Sequence, residues 1–357
     1  MNGTDKATVT NTPAADSSQL PLLLACLLVV QIGLALLLRA NAVQYKSAAN
    51  EADIIPVSLG QVGKIVITNN PHGGKKTTSL SLAFHNNAWD LPDQYGFPAA
   101  TRSVNALTED LHNLKKDFPV ATTPDAAERF KVTADTCDHS ITLSNSAKEL
   151  GTLFIGSAAG TKNVNVRWSG NNDIYSVEFP QDMLSTDPAN WWDSVRLSFA
   201  NKDVVGLEFP DFKMTLAGTG WTMSAGGKDQ PMVPETKDWV VNKLTNIDFK
   251  SVLGKDDRPE FNSSKPGFVY KIFLRENPKV PVIYSFSQTN KGDWVLKKSD
   301  LPFYLEANSF WLGNVKTVTA PTVIQANVMA EAKDKWERAQ REAAKAQFKN
   351  MHQKSGS

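Results

Sequence analysis

Cysteine is almost missing from this chain: two occur among 357 residues, Cys26 and Cys137. Cys26 lies within an apolar run and Cys137 far beyond it. No disulfide scaffold and no structural zinc site can be assembled from such a pair, so the fold must rest on its core. Histidine is scarce as well, at five. His72, His85, His112 and His352 stand singly on polar stretches, which suits surface positions. Only Asp135-Thr136-Cys137-Asp138-His139 gathers metal ligands closely, and no second cluster of His or Cys completes a site of three or four ligands. A charge excess is missing too: 38 Lys and Arg face 37 Asp and Glu. Without a global field, nucleic acid is not an expected partner.

Catalytic signatures are absent in the same way. Gly73-Gly74-Lys75-Lys76-Thr77-Thr78 superficially suggests a phosphate loop. Such a loop needs a glycine where Asn69 stands and a Ser or Thr where Lys76 stands. A hairpin turn is the expectation there. The glycines between Gly151 and Gly160 flank the short run Leu153 to Ile155 instead of opening a helix, and read as turn punctuation. No nucleophile, base and acid fall into a recognisable set, so no catalytic residue, metal ligand or cofactor is assigned.

What the sequence does have is one long apolar run. Leu20 to Leu38 reads LPLLLACLLVVQIGLALLL, with Gln31 its only strongly polar side chain. As a helix at about 1.5 Å per residue it extends about 28 Å, close to the roughly 30 Å hydrocarbon core of a bilayer. A cleaved signal peptide carries a shorter apolar region behind a positive patch, and only Lys6 precedes this one. Leu23-Leu24-Ala25-Cys26 looks like a lipobox, yet cleavage there leaves the apolar run from Leu27 to Leu38 beyond the cysteine. The expectation is a transmembrane helix over 20–38, between a disordered tail over 1–19 and a linker over 39–60. Lys6 on one side faces Arg39 and Lys46 on the other, so charge does not set the topology.

Beyond the linker come short runs enriched in β-branched and aromatic residues: Lys64 to Thr68, Leu80 to Phe84, Leu153 to Ile155, Val164 to Trp168 and Ile174 to Val177. Several alternate apolar and polar, as half-buried strands do. Between them Val104, Leu107, Leu111 and Leu114 fall at helical spacing. The second half repeats this order. Val204 to Phe209 and Lys213 to Ala217 lead to Trp221-Thr222-Met223, as the earlier strand pair leads to Trp89-Asp90-Leu91. Trp239, Leu244 and Ile247 stand where Leu107, Leu111 and Leu114 stood. Val269 to Leu274, Val280 to Phe286 and Trp294 to Leu296 answer the three earlier strands. Asn190-Trp191-Trp192 and Ser309-Phe310-Trp311 close the two halves. The expected fold is α+β: two tandem strand-rich repeats, 61–198 and 199–318, each of mostly antiparallel strands with a packed helix. A charged helix and tail follow over 319–357. Trp89 and Trp221 are expected at equivalent buried positions.

The segment Leu150 to Val177, LGTLFIGSAAGTKNVNVRWSGNNDIYSV, with Trp89 and Leu91 ahead of a helix, carries a resemblance. It resembles a membrane-anchored domain-of-unknown-function family, numbered four-three-four-zero, over about residues 60–318. That family is found beside or fused to auxiliary subunits of gliding-motility-type ABC transporters. The resemblance implies a single N-terminal helix, a domain outside the bacterial cytoplasmic membrane, and integral-membrane or ABC-transporter proteins as partners. It carries no catalytic residue to transfer, and it does not account for the tail after Lys316.

Carboxylates such as Asp182, Asp187, Asp193 and the pair Asp256-Asp257 suit solvated loops, and a glycosidase pair is defined by separation in space. Trp191 and Trp192, as sequence neighbours, suit packing better than a sugar platform. From about Gln325 to His352 the tail reads as a helix, with Glu331–Lys335, Asp334–Arg338 and Glu337–Arg341 all acid before base. Its apolar side, Val328, Ala332, Trp336, Ala339 and Ala343, is narrow. Such a helix is either solvated or a docking element for a partner, with Trp336 as the anchor. The expected function is that of a non-enzymatic, membrane-anchored scaffold or binding accessory. It would sit in the inner membrane with a periplasmic soluble domain, linked to an ABC-type transport assembly. The alternatives are an envelope-glycan hydrolase using scattered carboxylates and a small-ligand carrier.

Overall fold

The computed structural model describes residues 20–49, 52–71, 76–158, 162–245 and 247–354. Within the first and last helices the described side chains are those of 24–39 and 320–346. The tail 1–19, Gly73 to Lys75 and Gly160 lie outside the described residues. The chain opens with α1 (Leu20–Ala49). Then come β1 (Lys64–Asn69), β2 (Thr78–His85), β3 (Ala88–Leu91), β4 (Phe97–Pro98), α2 (Thr101–His112), the single turn α3 (Ala126–Arg129), β5 (His139–Ser144), β6 (Glu149–Ala158), β7 (Asn163–Trp168) and β8 (Tyr175–Glu178). The second half runs through β9 (Val204–Glu208), β10 (Lys213–Ala217), β11 (Gly220–Ala225), β12 (Lys228–Met232), α4 (Pro234–Leu244), β13 (Phe249–Gly254), β14 (Phe268–Leu274), β15 (Asn277–Gln288), β16 (Trp294–Lys298) and β17 (Tyr304–Ala307). It closes on α5 (Ser309–Lys316) and α6 (Ala320–Lys354).

Two large antiparallel sheets result, and the protein is α+β. The first has eight strands in the order β4-β3-β2-β1-β5-β6-β7-β8 and the second nine in the order β12-β11-β10-β9-β14-β15-β16-β17-β13. In each, the opening strand ends in the middle, flanked by the hairpin that follows it and by the first strand of the later meander. The strand order of the second sheet matches that of the first with one addition. β13, which follows α4, pairs antiparallel with β17 from Phe249↔Ala307 to Gly254↔Tyr304.

The inward faces follow from period-two patterning. Ile65 and Ile67 of β1, Leu82 of β2, and Ile141 and Leu143 of β5 are buried, and Val104, Leu107 and Leu111 of α2 lie against them at three- and four-residue spacing. The second core is richer in rings: Tyr270 stacks on Tyr284 at 4.8 Å, with Phe286 alongside, and Val240 and Leu244 of α4 share the cluster. The two cores meet at β4. Phe97 lies 5.6 Å from Phe249 and 5.0 Å from Phe303, and Trp192 stacks on Phe249 at 4.1 Å.

Several expectations require correction. Gly151 and Gly156 are not turn residues but lie inside β6, a strand of ten residues. A Cβ at Gly156 would sit 2.2 Å from the Phe130 carbonyl oxygen, so glycine there lets the loop after α3 cross the sheet face. At Gly151, with φ of +150°, a Cβ would sit 2.2 Å from the Trp168 ring. The strands β4, β5, β12, β13 and β17 lie outside the runs that the sequence patterning marks. The three strands read after α4 therefore correspond to β5, β6 and β7, one place earlier than their patterning suggests.

Trp89 and Trp221 do share a register position, each one pair in from the closing pair of its hairpin: Phe84↔Trp89 beside His85↔Ala88, and Leu216↔Trp221 beside Ala217↔Gly220. The first hairpin turns through Asn86 and Asn87, both with positive φ as a tight primed turn requires. Their burial differs, however. Trp221 faces Met232 across β12 and carries the Lys237 ammonium 5.8 Å above its ring, so it is buried. Trp89 has Ala99 in the place of Met232 and stays half-exposed.

The expected linker is also shorter than 39–60. α1 continues to Ala49, and Ile54 and Ile55 are already buried, with the Ile54 amide donating to the Leu114 carbonyl at 3.0 Å. Among the described residues no helix is long and apolar enough to cross a membrane. Finally, the C-terminal helix does join the core at its base. Val323 is fully buried, and buried Asn327 accepts from the Val233 amide and the Thr236 hydroxyl, both at 2.9 Å.

Candidate functional site

β8 ends the first sheet. On its inner side it pairs with β7 from Asn163↔Glu178 to Val166↔Tyr175. On its outer side, among the described residues, main-chain pairing is limited to one bridge just before the strand. There the Val120 amide donates to Ile174 at 2.8 Å and the Ile174 amide to Ala121 at 2.9 Å. Tyr175 to Glu178 thus present a strand edge with no main-chain partner beyond β7 among the described residues. Where β8 ends lies a cleft of about 940 Å³ lined by Asp110, Lys162, Glu178, Gln181 and Asp182, with buried Phe179 beneath. Lys162 and Glu178 approach to 3.7 Å, but both side chains are largely solvated, so the pair holds little. Half-buried Asp110 has its carboxyl pushed above the usual range by burial, then by Glu109 and Asp182. Three carboxylates against one lysine leave the cleft acidic.

The sequence contains the reason for this edge. After α4 the chain reads Phe249-Lys250-Ser251-Val252-Leu253 and forms β13. After α2 the corresponding stretch carries Pro119 and Pro124, which cannot donate to a ladder, and it forms a loop and the turn α3.

A second depression, about 500 Å³, is lined by Leu59, Val62, Phe84, Trp89, Asn105, Thr108, Glu109 and His112. Phe84 and Trp89 stand 5.3 Å apart on its wall. Its ionisable lining groups are Glu109 and His112, three residues apart on α2.

The residues singled out in the sequence are placed as follows. Cys137 is buried, accepts from the Asn70 amide at 3.3 Å, and burial pushes its thiol upward, away from the reactive thiolate. His139 opens β5, half-buried, with Nδ1 lacking a partner. Among the described residues no three His, Cys, Asp or Glu side chains converge as a metal would require. His85 pairs with Asp90 at 3.0 Å, and His112 lines the aromatic groove. Asp187 accepts from the Ala189 amide and caps the turn Pro188–Asn190, Asp193 pairs with Arg196 at 3.1 Å, and Asp257 accepts from the Ser263 hydroxyl. Of these acids only Asp182 reaches the cleft. Trp191 is core, donating to the Ser185 carbonyl at 2.9 Å, and Trp192 seals the two halves together. Trp336 is 63% exposed on the outer part of α6, on the side shared with exposed Val328.

The fold defines an α+β protein of two antiparallel sheets. Residues 89–266 match the model of a domain of unknown function (DUF4340). The match begins in β3 and ends just before β14, taking in the β8 edge and its cleft. No curated protein and no solved structure matches the chain.

Proposed function

We propose that this protein is a non-enzymatic binding module held in the bacterial inner membrane by residues 20–38. Its two-sheet body lies on the periplasmic side and serves an ABC-type transport assembly as an accessory. One observation carries the anchor: Leu24, Leu27, Leu28, Val29, Val30, Ile32, Leu34, Leu36, Leu37 and Leu38 of α1 all stand exposed, each by more than half. A continuous apolar surface of that kind is costly in water and is matched by lipid. The binding role is supported by the open β8 edge, which offers main-chain groups and no catalytic set. Purification in mild detergent, with mass spectrometry of co-purifying proteins, tests the role. Integral-membrane and transport-ATPase components should appear with the intact chain, and recovery of the chain alone, as a monomer, would overturn it.

A second reading, hydrolysis of envelope glycans in the β8 cleft, is favoured by the raised carboxyl of Asp110 near Asp182. Glycan cleavage by the pure chain that disappears in Asp110→Asn would establish it in place of the binding role.

A further inference from the structure

We propose that the open edge of β8 is a strand-addition site, where an extended segment of a partner protein bearing a lysine or arginine pairs antiparallel with Tyr175–Glu178. This rests on the binding role argued above and names the kind of partner. The molecule contains its own precedent. β17 holds the same place in the second sheet as β8 in the first, both are four residues long, and both begin with tyrosine. On β17 the place is filled. β13 lies along it, and Glu306 of β17 accepts from the Ser251 hydroxyl at 2.9 Å while Lys250 stands 3.4 Å away. Within the chain, β17 thus holds an added strand that carries a lysine, with Glu306 at the pair position that Val177 occupies in β8 and Glu178 one residue further on.

On β8 the place is open. The stretch after α2 supplies only the Val120–Ala121 bridge to Ile174, and Glu178, with Asp110 and Asp182 near it, provides the acid that a basic segment would meet. Added strands gain affinity from main-chain hydrogen bonds and specificity from alternate side chains. A second copy of the same edge fits poorly, because pairing β8 with β8 would bring the acidic clefts of both copies together.

The probe follows from the precedent: a labelled peptide of residues 248–256, DFKSVLGKD, which contains β13. With the full chain in detergent micelles, the peptide should raise its fluorescence anisotropy on binding and slow amide exchange at 175–178. Glu178→Lys, a change at an exposed side chain, should weaken binding about tenfold, and a peptide carrying the Lys250→Glu change should restore it to that variant. No binding at millimolar peptide, equal binding by Glu178→Lys, or protection that falls in the second sheet would each overturn the site. So would self-association of the chain through 175–178 without peptide, which would make a second copy the occupant. A chain that leaves the membrane on carbonate washing but still binds the peptide at β8 would refute the anchor and leave this site standing.

Discussion

Trp89 and Trp221 hold the same register position in matching hairpins, and their surroundings decide what each is worth. Trp221 is enclosed by Met232, Leu216 and the Lys237 stem, so Trp221→Ala should cost about 3–5 kcal/mol. Trp89, open on the groove side, should cost about 1–2 kcal/mol when truncated. Urea unfolding of the two variants measures the difference, and equal losses would mean that the groove is closed in solution. His139 makes a prediction about pH. Burial favours its neutral ring, so its folded pKa lies below the ordinary 6.5, although Asp138 partly opposes the shift. The unfolded chain therefore takes up this proton first. The stability is fully present above about pH 6.5 and is lost as pH falls through that value. The fall in unfolding midpoint between pH 7.5 and 5.5 should be smaller in His139→Gln than in the parent chain.

At the scale of elements, α6 is two things joined end to end. Its base belongs to the second core, where Asn327 satisfies the Val233 amide and Thr236 hydroxyl at the start of α4 and Val323 fills a gap. Its outer part has exposed or half-exposed side chains throughout 332–346, bridged along the surface by Asp334–Arg338 and Glu337–Arg341 at 2.7 and 3.2 Å. Deleting 322–357 should therefore cost several kcal/mol, about 2–5 from the buried groups alone. Deleting 334–357 should leave the thermal midpoint nearly unchanged. A large loss from the shorter deletion would show that the outer helix packs on its own domain. Two of the three acid-base pairs expected at i,i+4 form, because they depend on local spacing, whereas Glu331 accepts from the Asn327 side chain at 2.8 Å. The packing of the base was not legible in the sequence, because it turns on one asparagine whose partners lie more than ninety residues away. The strands split in the same way. Those with clean alternation, such as β1 and β7, announced themselves, whereas β17, following Pro302, and β13, with bulged pairing, take their place from the strands beside them.

At the scale of the whole molecule, an exposed apolar helix is joined by a few residues to a body of two sheets built in one strand order. Ala49 ends α1 and Asp53 is already fixed to Lys115 by a bridge and an ion pair, so at most about 14 Å of chain separates the helix from the body. A body so closely tied cannot act far from wherever α1 resides, and the use of the β8 edge depends on that place. The repeated order of elements could be followed along the sequence because it is a matter of succession. The open edge is a difference between the two halves and depends on the pairing within both complete sheets, which succession does not encode. The most direct test of the anchored account is alkaline carbonate extraction of membranes containing the full chain, followed by mass measurement of the protein in each fraction. The account predicts that the chain stays in the pellet with residues 20–38 intact, because pH does not displace an apolar span of this length. Recovery in the supernatant of a form beginning near residue 40 would contradict it.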